Sequence, residues 1–260
     1  MSQNVDYSAE IGQAAQLLAQ NRFVIAFTGA GLSTRSGIPD FRSPDTGLWA
    51  RIDLNRRDEP RVTSIQGFAL NPQAFYNGFS PLVEKIFAAE PNPAHFALAK
   101  LENTGFIKTV ITQNADLLHQ RAGSQRVIEV HGTILEATCI RCYRVVPARP
   151  LFLQFFIDGQ VPRCRECDGV MKPNVILTGE QLPRIAILAA KQAVRACDVM
   201  LVAGTSLPGG PATALVESAS AQGTKLIIVN LTPTLLDHKA KVVIHADVVK
   251  VLPALLNYLP

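Results

Sequence analysis

Four cysteines fall into two pairs, Cys139-Ile-Arg-Cys142 and Cys164-Arg-Glu-Cys167, with 21 residues between them. Two thiolate pairs, each on a tight knuckle, wrap a tetrahedral zinc ion well, and four unrelated buried cysteines rarely fall into this pattern. Four thiolates complete the coordination shell, so a zinc held this way is structural and has no open position for catalysis. In a reducing compartment the same cysteines are not expected as disulfides. Cys197 stands apart at the start of an apolar run and reads as a small buried hydrophobe.

Gly29-Ala30-Gly31 follows the apolar run RFVIAFT (22–28). Glycines after a strand let the backbone approach a phosphate, whose charge the following N–H groups and helix dipole attract. The third glycine of G-x-G-x-x-G is missing, because Thr34 stands there. The turn alone is weak evidence, and a tight strand-to-helix connection that binds nothing is the lesser alternative. Thr112-Gln113-Asn114-Ala115-Asp116 follows a second apolar run, and Gly204-Thr205-Ser206 and Asn230-Leu231 follow two more. Open α/β sheets bind ligands at the carboxyl ends of their strands, and four such ends with small or amide residues suit a dinucleotide. Glu129-Val130-His131-Gly132 precedes the first cysteine pair. Imidazole suits general-base work near neutrality, although His131 taken alone reads more readily as an ordinary hydrogen-bonded histidine. His95 and His119 fall on expected helices and read as structural, and His238 and His245 receive no role.

The elements that must position these groups show as apolar runs. RFVIAFT, FIKTVIT (106–112), DVMLVAG (198–204), KLIIVN (225–230) and KVVIHAD (241–247) predict strands buried on both faces. Between them, residues 9–20, 92–103, 182–196 and 211–223 carry helical periodicity. Alternating strands and helices predict an α/β fold, a doubly wound Rossmann-like parallel sheet. Two stretches break the rhythm. Residues 43–90 are rich in Pro, Asn and Arg, with helical fragments such as NPQAFYNGF, and residues 133–174 hold the cysteines. The expected division is a Rossmann-like domain from 1–42, 91–132 and 175–260. A smaller domain, helical module plus zinc ribbon, takes 43–90 and 133–174.

A chain of 260 residues with 48% hydrophobic and 18% charged residues supports a sizeable core and argues against wholesale disorder. The net charge of +4 is too mild for a nucleic-acid binder, so no direct sequence-specific nucleic-acid contact is expected. MSQNVDYSAEIGQ has no basic n-region or apolar h-region, and no apolar run approaches the ~20 residues of a membrane span. A cytoplasmic protein without membrane contact is the expectation.

Several motifs occur in order: Gly29-Ala30-Gly31-Leu32-Ser33, Gly37-Ile38-Pro39-Asp40-Phe41-Arg42, Gln113-Asn114-x-Asp116-x-x-His119, His131-Gly132, the paired cysteines, Gly204-Thr205-Ser206 and Asn230. Together they resemble the sirtuins, NAD-dependent protein-lysine deacylases, and most of all the compact prokaryotic members. The resemblance runs from about residue 9 to the C-terminus. It implies NAD as cosubstrate, one structural zinc, and an acetylated or otherwise acylated lysine in a protein partner. Gly29, Ala30 and Gly31 would contact the NAD diphosphate. Thr34, Asp40, Phe41 and Arg42 would close over the nicotinamide-ribose side. Gln113 and Asn114 would orient the ribose and an ordered water, with Asn114 counted beside His131 as catalytic. Asp116 would hold the nicotinamide carboxamide. Gly204, Thr205, Ser206, Asn230 and Leu231 would line the adenosine half, with Asp247 and Val248 nearby.

In the implied reaction the acyl oxygen attacks ribose C1′ as nicotinamide leaves. His131 acts as general base on the ribose hydroxyls, and O-acyl-ADP-ribose is the product. Phe41 would shield C1′ from water. Ile176, Leu177, Thr178 and Gly179 match the substrate-strand segment, and an extended peptide would pair between it and the loop at Leu207 and Pro208 by β-augmentation. The aromatic pair usual before Gly-Glu is here Leu177-Thr178. Ala50-Arg51-Ile52-Asp53 offers no match to the residues that bind acidic acyl groups, which favours acetyl or a longer neutral acyl. NAD hydrolysis or ADP-ribosyl transfer on the same fold is the alternative. A catalytically silent NAD-binding scaffold and a generic Rossmann dehydrogenase explain fewer of the motifs.

Overall fold

The computed structural model describes residues 6–40 and 62–260. Phe41, Arg42 and the stretch through Trp49 to Asp53 lie outside the described residues.

Six strands form one parallel sheet: β1 (Val24–Thr28), β2 (Thr109–Thr112), β3 (Val127–Glu129), β7 (Val199–Ala203), β8 (Lys225–Val229) and β9 (Val242–Ile244). Their spatial order is β3-β2-β1-β7-β8-β9. Counting only these strands along the chain gives 3-2-1-4-5-6, the order of a dinucleotide-binding doubly wound sheet. The central strands VIAFT and VMLVA are buried at every position, because helices cover both faces. On one side α1 (Ser8–Gln20), α4 (Pro93–Asn103) and α9 (Val248–Leu256) pack over Val24, Ala26, Val110, Leu201 and Ile227. On the other, α7 (Arg184–Ala196) and α8 (Thr213–Ala221) pack over Ile25, Phe27, Ile111, Met200 and Ile228. The even-odd alternation along β1 sends one set of side chains to each core.

A second core lies beside the sheet. Strands β4 (Gly132–Cys139), β5 (Val145–Pro147) and β6 (Met171–Val175) form an antiparallel sheet in the order β5-β4-β6. Helices α2 (Ile65–Leu70), α3 (Pro72–Ala88) and α6 (Ala148–Asp158) pack with it. Asn71 caps α3 through its side-chain oxygen, which accepts from Ala74 N at 2.9 Å, and Pro72 occupies the first helical position. The shared interior is aromatic: Phe68, Phe75, Tyr76, Phe79, Phe152 and Phe155 are buried. Phe68 meets Phe75 edge-on with ring centroids 5.0 Å apart. The Tyr76 hydroxyl donates to Met171 O at 2.7 Å, pinning helix to ribbon.

The five strands expected from apolar runs are present. Two elements of the main fold have no counterpart in that expectation. β3 is an edge strand whose three residues are only half-buried, so it lacks the apolar run of a central strand. The closing helix α9 carries Pro253 inside an otherwise helical pattern. Among the described residues, no helix is long and apolar enough to cross a membrane.

Candidate active site

The strand order reverses between β1 and β7, so their carboxyl ends open a crevice. The two turns there are docked backbone to backbone. Gly31 N donates to Gly204 O at 2.8 Å, and Gly29 N to Ala203 O at 3.3 Å. A Cβ on Gly31 would sit 2.9 Å from Gly204 O. Chain-to-chain approach is thus a sufficient reason for glycine here. The helix expected after this turn, with its attracting dipole, is replaced by two 3-10 turns, Ala30–Leu32 and Thr34–Ser36. The cause is local: Leu32 N returns to Gly29 O and Ser33 N to Ala30 O, three-residue closures that spend these N–H groups internally.

A buried polar network lies behind the crevice. Asp116 accepts the Ser33 hydroxyl at 2.6 Å on Oδ2 and Leu118 N at 3.0 Å on Oδ1. Burial pushes its carboxyl above the usual carboxylate range, and these two hydrogen bonds oppose the shift. Asn114 is buried, with Nδ2 donating to Gly29 O at 3.1 Å and to Ser33 Oγ at 3.0 Å.

His95 and His119, read from sequence as structural, pack edge to face beside this network, centroids 5.2 Å apart. His95 Nδ1 accepts from Asn92 N in a capping box at the start of α4, which puts the proton on Nε2, 3.5 Å from Ser33 Oγ. His119 opens the short helix α5 (Leu118–Arg121) one position in, and its Nε2 lies 2.9 Å from Thr28 Oγ1. Burial pushes His95 down to about 4 and His119 to about 3, the latter helped by repulsion from His95. Both rings are therefore neutral hydrogen-bonding groups at pH 7. Their link to Ser33 and Thr28 is the part of the site that sequence reasoning missed, and the Asn92-Pro-Ala-His95 cap was its available signal.

His131 follows β3. Its Nδ1 is 3.1 Å from Gln113 O. A carbonyl only accepts, so Nδ1 carries the proton. The backbone carbonyl of His131 accepts Ile176 N at 2.9 Å, which sets His131 beside the expected substrate strand. Gly132 makes this approach possible: its φ is +78° and a Cβ would overlap Asn174 O at 1.9 Å. Thr178 is held by Thr63 and Ile65, with Thr178 N donating to Thr63 O and Ile65 N to Thr178 O, both at 3.0 Å. Leu177 is buried in the second core, whereas Thr178 and Gly179 are exposed.

The remaining expected residues divide by location. Thr34 sits on the rim with its hydroxyl on Gly31 O, and Asp40 is half-buried beyond the 3-10 turns. Thr205 is buried and accepts Leu207 N at 3.2 Å, while Ser206 is exposed. Leu207 is fully buried with φ +48°, and Pro208 follows it without an N–H. Asn230 is buried and folds its own loop, Nδ2 donating to Thr232 O at 2.7 Å, with Leu231 exposed beside it. Asp247 caps α9 through Val249 N and pairs with Arg35 at 2.7 Å. Val248 points into the core.

The four cysteine sulfurs lie within 4.8 Å of one another. Cys139 Sγ is 3.5 Å from Cys167 Sγ, and Cys142 Sγ 3.6 Å from Cys164 Sγ. Sulfurs ~2.3 Å from a tetrahedral zinc stand about 3.8 Å apart, so the cluster fits the ion. Backbone N–H groups of Cys142 and Arg141 point at Cys139 Sγ, and the first of these leads in drawing that thiol down to about 6. Zinc binding requires thiolates, and these N–H groups favour that form at Cys139, whereas burial and the neighbouring sulfurs push Cys167 up.

Fold and site together define a dinucleotide-binding α/β protein with a zinc-ribbon insert between β3 and β7. Comparison with known proteins narrows the class. The Sir2 family model matches residues 29–211. NAD-dependent protein deacylase 2 of Archaeoglobus fulgidus is 44% identical over 249 residues, 95% of this chain and 95% of its own. The solved structure "Sir2-p53 peptide-NAD+" superimposes with a TM-score of 0.86 at 36% identity, covering 97% of this chain and 98% of that one. The structure of Sir2Tm bound to a propionylated peptide gives 0.85 at 36% identity, covering 95% and 97%. The chain belongs to the Sir2 family.

Proposed function

We propose that this chain is an NAD-dependent protein-lysine deacylase that releases nicotinamide and O-acyl-ADP-ribose. The observation that carries the reading is His131, its Nδ1–H committed to Gln113 O and its backbone tied to the strand at Ile176. One residue thereby faces the dinucleotide crevice and the peptide segment together. Relatives at this level of identity are named as NAD-dependent deacylases or deacetylases, and one solved relative is described with NAD and a peptide together.

NAD, when bound, supplies the electrophilic ribose carbon and the nicotinamide leaving group. The chain's own residues supply the rest. Asp116, oriented by Ser33 and Leu118 N, receives the nicotinamide carboxamide. Asn114, held against Gly29 O and Ser33, and Gln113 orient the ribose. Gly29, Ala30, Gly31, Thr34 and Asp40 border the diphosphate and nicotinamide side, with Phe41 and Arg42 assigned there by motif. Thr205, Ser206, Asn230 and Leu231 border the adenosine half. His131 Nε2 takes a proton from a ribose hydroxyl so that the oxygen can attack the acyl carbon. Residues 176–179 receive the acyl-lysine strand, and a neutral acyl chain is the favoured cargo. Cys139, Cys142, Cys164 and Cys167 hold a zinc that shapes the second core and takes no part in bond making.

The division into a Rossmann-like unit and a small unit of 43–90 and 133–174 belongs to the same reading. It is supported by the aromatic core that α2, α3, α6 and the ribbon share. A cytoplasmic location is supported by the paired thiols, which suit a reducing compartment.

The test is incubation with NAD and an acetyl-lysine peptide while nicotinamide and O-acetyl-ADP-ribose are followed. Both products are expected, in equal amounts and only with peptide. Nicotinamide release at the same rate without peptide would replace this reading with NAD hydrolysis.

A further inference from the structure

Lys172 on β6 sits in a cage of three oxygens. Its Nζ donates to Pro173 O and Val175 O, both at 3.0 Å, and lies 3.0 Å from Glu180 Oε2. An ammonium has three hydrogens, and each meets one acceptor here. The Lys172 side chain is only 11% exposed and that of Glu180 20%. The same Glu180 Oε2 accepts Leu177 N at 2.7 Å, and Glu180 N donates to Leu177 O at 3.0 Å. Cation and carboxylate thus close a ring around the segment 173–180.

A nearly buried ion pair is poor evidence for stability, because desolvation offsets much of its attraction. An apolar pair would fill the space as well. It would not gather two backbone carbonyls and a carboxylate that itself holds a backbone N–H. The clasped segment is fastened sideways to the His131 carbonyl through Ile176 N and to Thr63 and Ile65 through Thr178. None of these ties reaches the Gly31–Gly204 contact at the dinucleotide side.

We propose that Lys172 and Glu180 are positioning residues that preset residues 176–179 to receive the acyl-lysine peptide. The inference rests on the assignment of that segment to the peptide. Holding the strand in its bound shape beforehand lowers the ordering cost of peptide binding, so the pair acts on peptide affinity and leaves NAD affinity alone.

The experiment uses the full chain with zinc, an acetyl-lysine peptide and NAD. In Lys172→Met, which keeps the stem and removes the ammonium, peptide KM should rise roughly tenfold while NAD KM stays within about twofold. Glu180→Gln should shift peptide KM in the same direction by less, since its amide oxygen still accepts Leu177 N. Lys172→Arg, which restores a cation, should recover most of the loss. Zinc content and circular dichroism report whether Lys172→Met folds, and Glu180→Gln carries the test if it does not. Peptide KM within about twofold of the parent in the folded variants overturns the proposal, as does an equal rise in peptide and NAD KM or no recovery with arginine. A parent protein that forms no O-acyl-ADP-ribose overturns the deacylase reading instead.

Discussion

Replacing Gly132 by alanine tests the site at its tightest point. The residue has φ +78°, and its Cβ would meet Asn174 O at 1.9 Å. Left-handed backbone at a non-glycine residue costs about 1–2 kcal/mol. The overlap is the larger problem. Cβ atoms essentially never approach closer than 3.0 Å, so β4 and β6 must part by at least 1.1 Å, the difference of 3.0 and 1.9. The displaced backbone belongs to the residue after His131 and lies against the strand that leads to Ile176. A misplacement of ~1 Å at reacting groups costs about 100-fold in rate. The expected outcome for Gly132→Ala is a kcat/KM for acetyl-peptide lowered about 100-fold, with NAD affinity and zinc content retained. Melting should show a loss of more than about 2 kcal/mol, since the overlap adds to the backbone cost. Steady-state kinetics, NAD titration and calorimetry on one preparation give all of these. Activity within about threefold of the parent would refute the claim that this contact sets the geometry of the base.

His131→Ala should lower kcat by about 10²–10⁴ while NAD still binds, and unchanged turnover would remove its role as base. The folded chain should hold one zinc, and exhaustive chelation should abolish activity together with the near-ultraviolet signal of the aromatic core. Metal-free protein with unaltered spectrum and turnover would end the structural assignment. His95 and His119 should lower stability as pH drops from about 6.5 toward 4, because the unfolded chain protonates them where the folded chain keeps them neutral to about 4 and about 3. Glu129, pushed up to about 7 mainly by burial, contributes with the opposite sign, its stabilisation present below 4.5 and lost as pH rises through 7. Asp116, raised by burial, acts with the same sign as Glu129, so the imidazole contribution is isolated by difference. Chemical denaturation at several pH values should show the parent losing stability relative to His95→Gln as pH drops through this range, and parallel profiles would remove the assignment.

The sheet was legible because its strands are buried on both faces and therefore read as unbroken apolar runs. β3 escaped because an edge strand with half-exposed residues leaves no such mark. The cysteine spacing announced the metal centre, since a tetrahedral thiolate site fixes ligand pairs at short range. The glycine turn misled in one respect. The turn was read as opening a helix, whereas the chain turns in 3-10 fashion, and Gly31 also makes room for Gly204. A contact between residues so far apart in sequence leaves no local pattern. For the same reason His95 and His119 looked like ordinary helix residues, and only the fold brings Ser33, Asn114 and Asp116 to them. Lys172 and Glu180 form a pair only once β6 and the following turn exist.

The ribbon also has a consequence for how the chain assembles. Residues 132–175 interrupt the connection from β3 to β7, yet their two ends, Gly132 and Val175, are paired neighbours in the antiparallel sheet. Until β7 arrives, β1 presents VIAFT with one side of its hydrogen-bonding ladder unsatisfied, since Val24 waits for Val199. A folded insert shortens that wait. By joining its own ends it removes most of its length from the loop that must close, and loop length governs the speed of long-range pairing. A zinc that holds the ribbon folded therefore shortens the loop whose closure completes a sheet outside the ribbon.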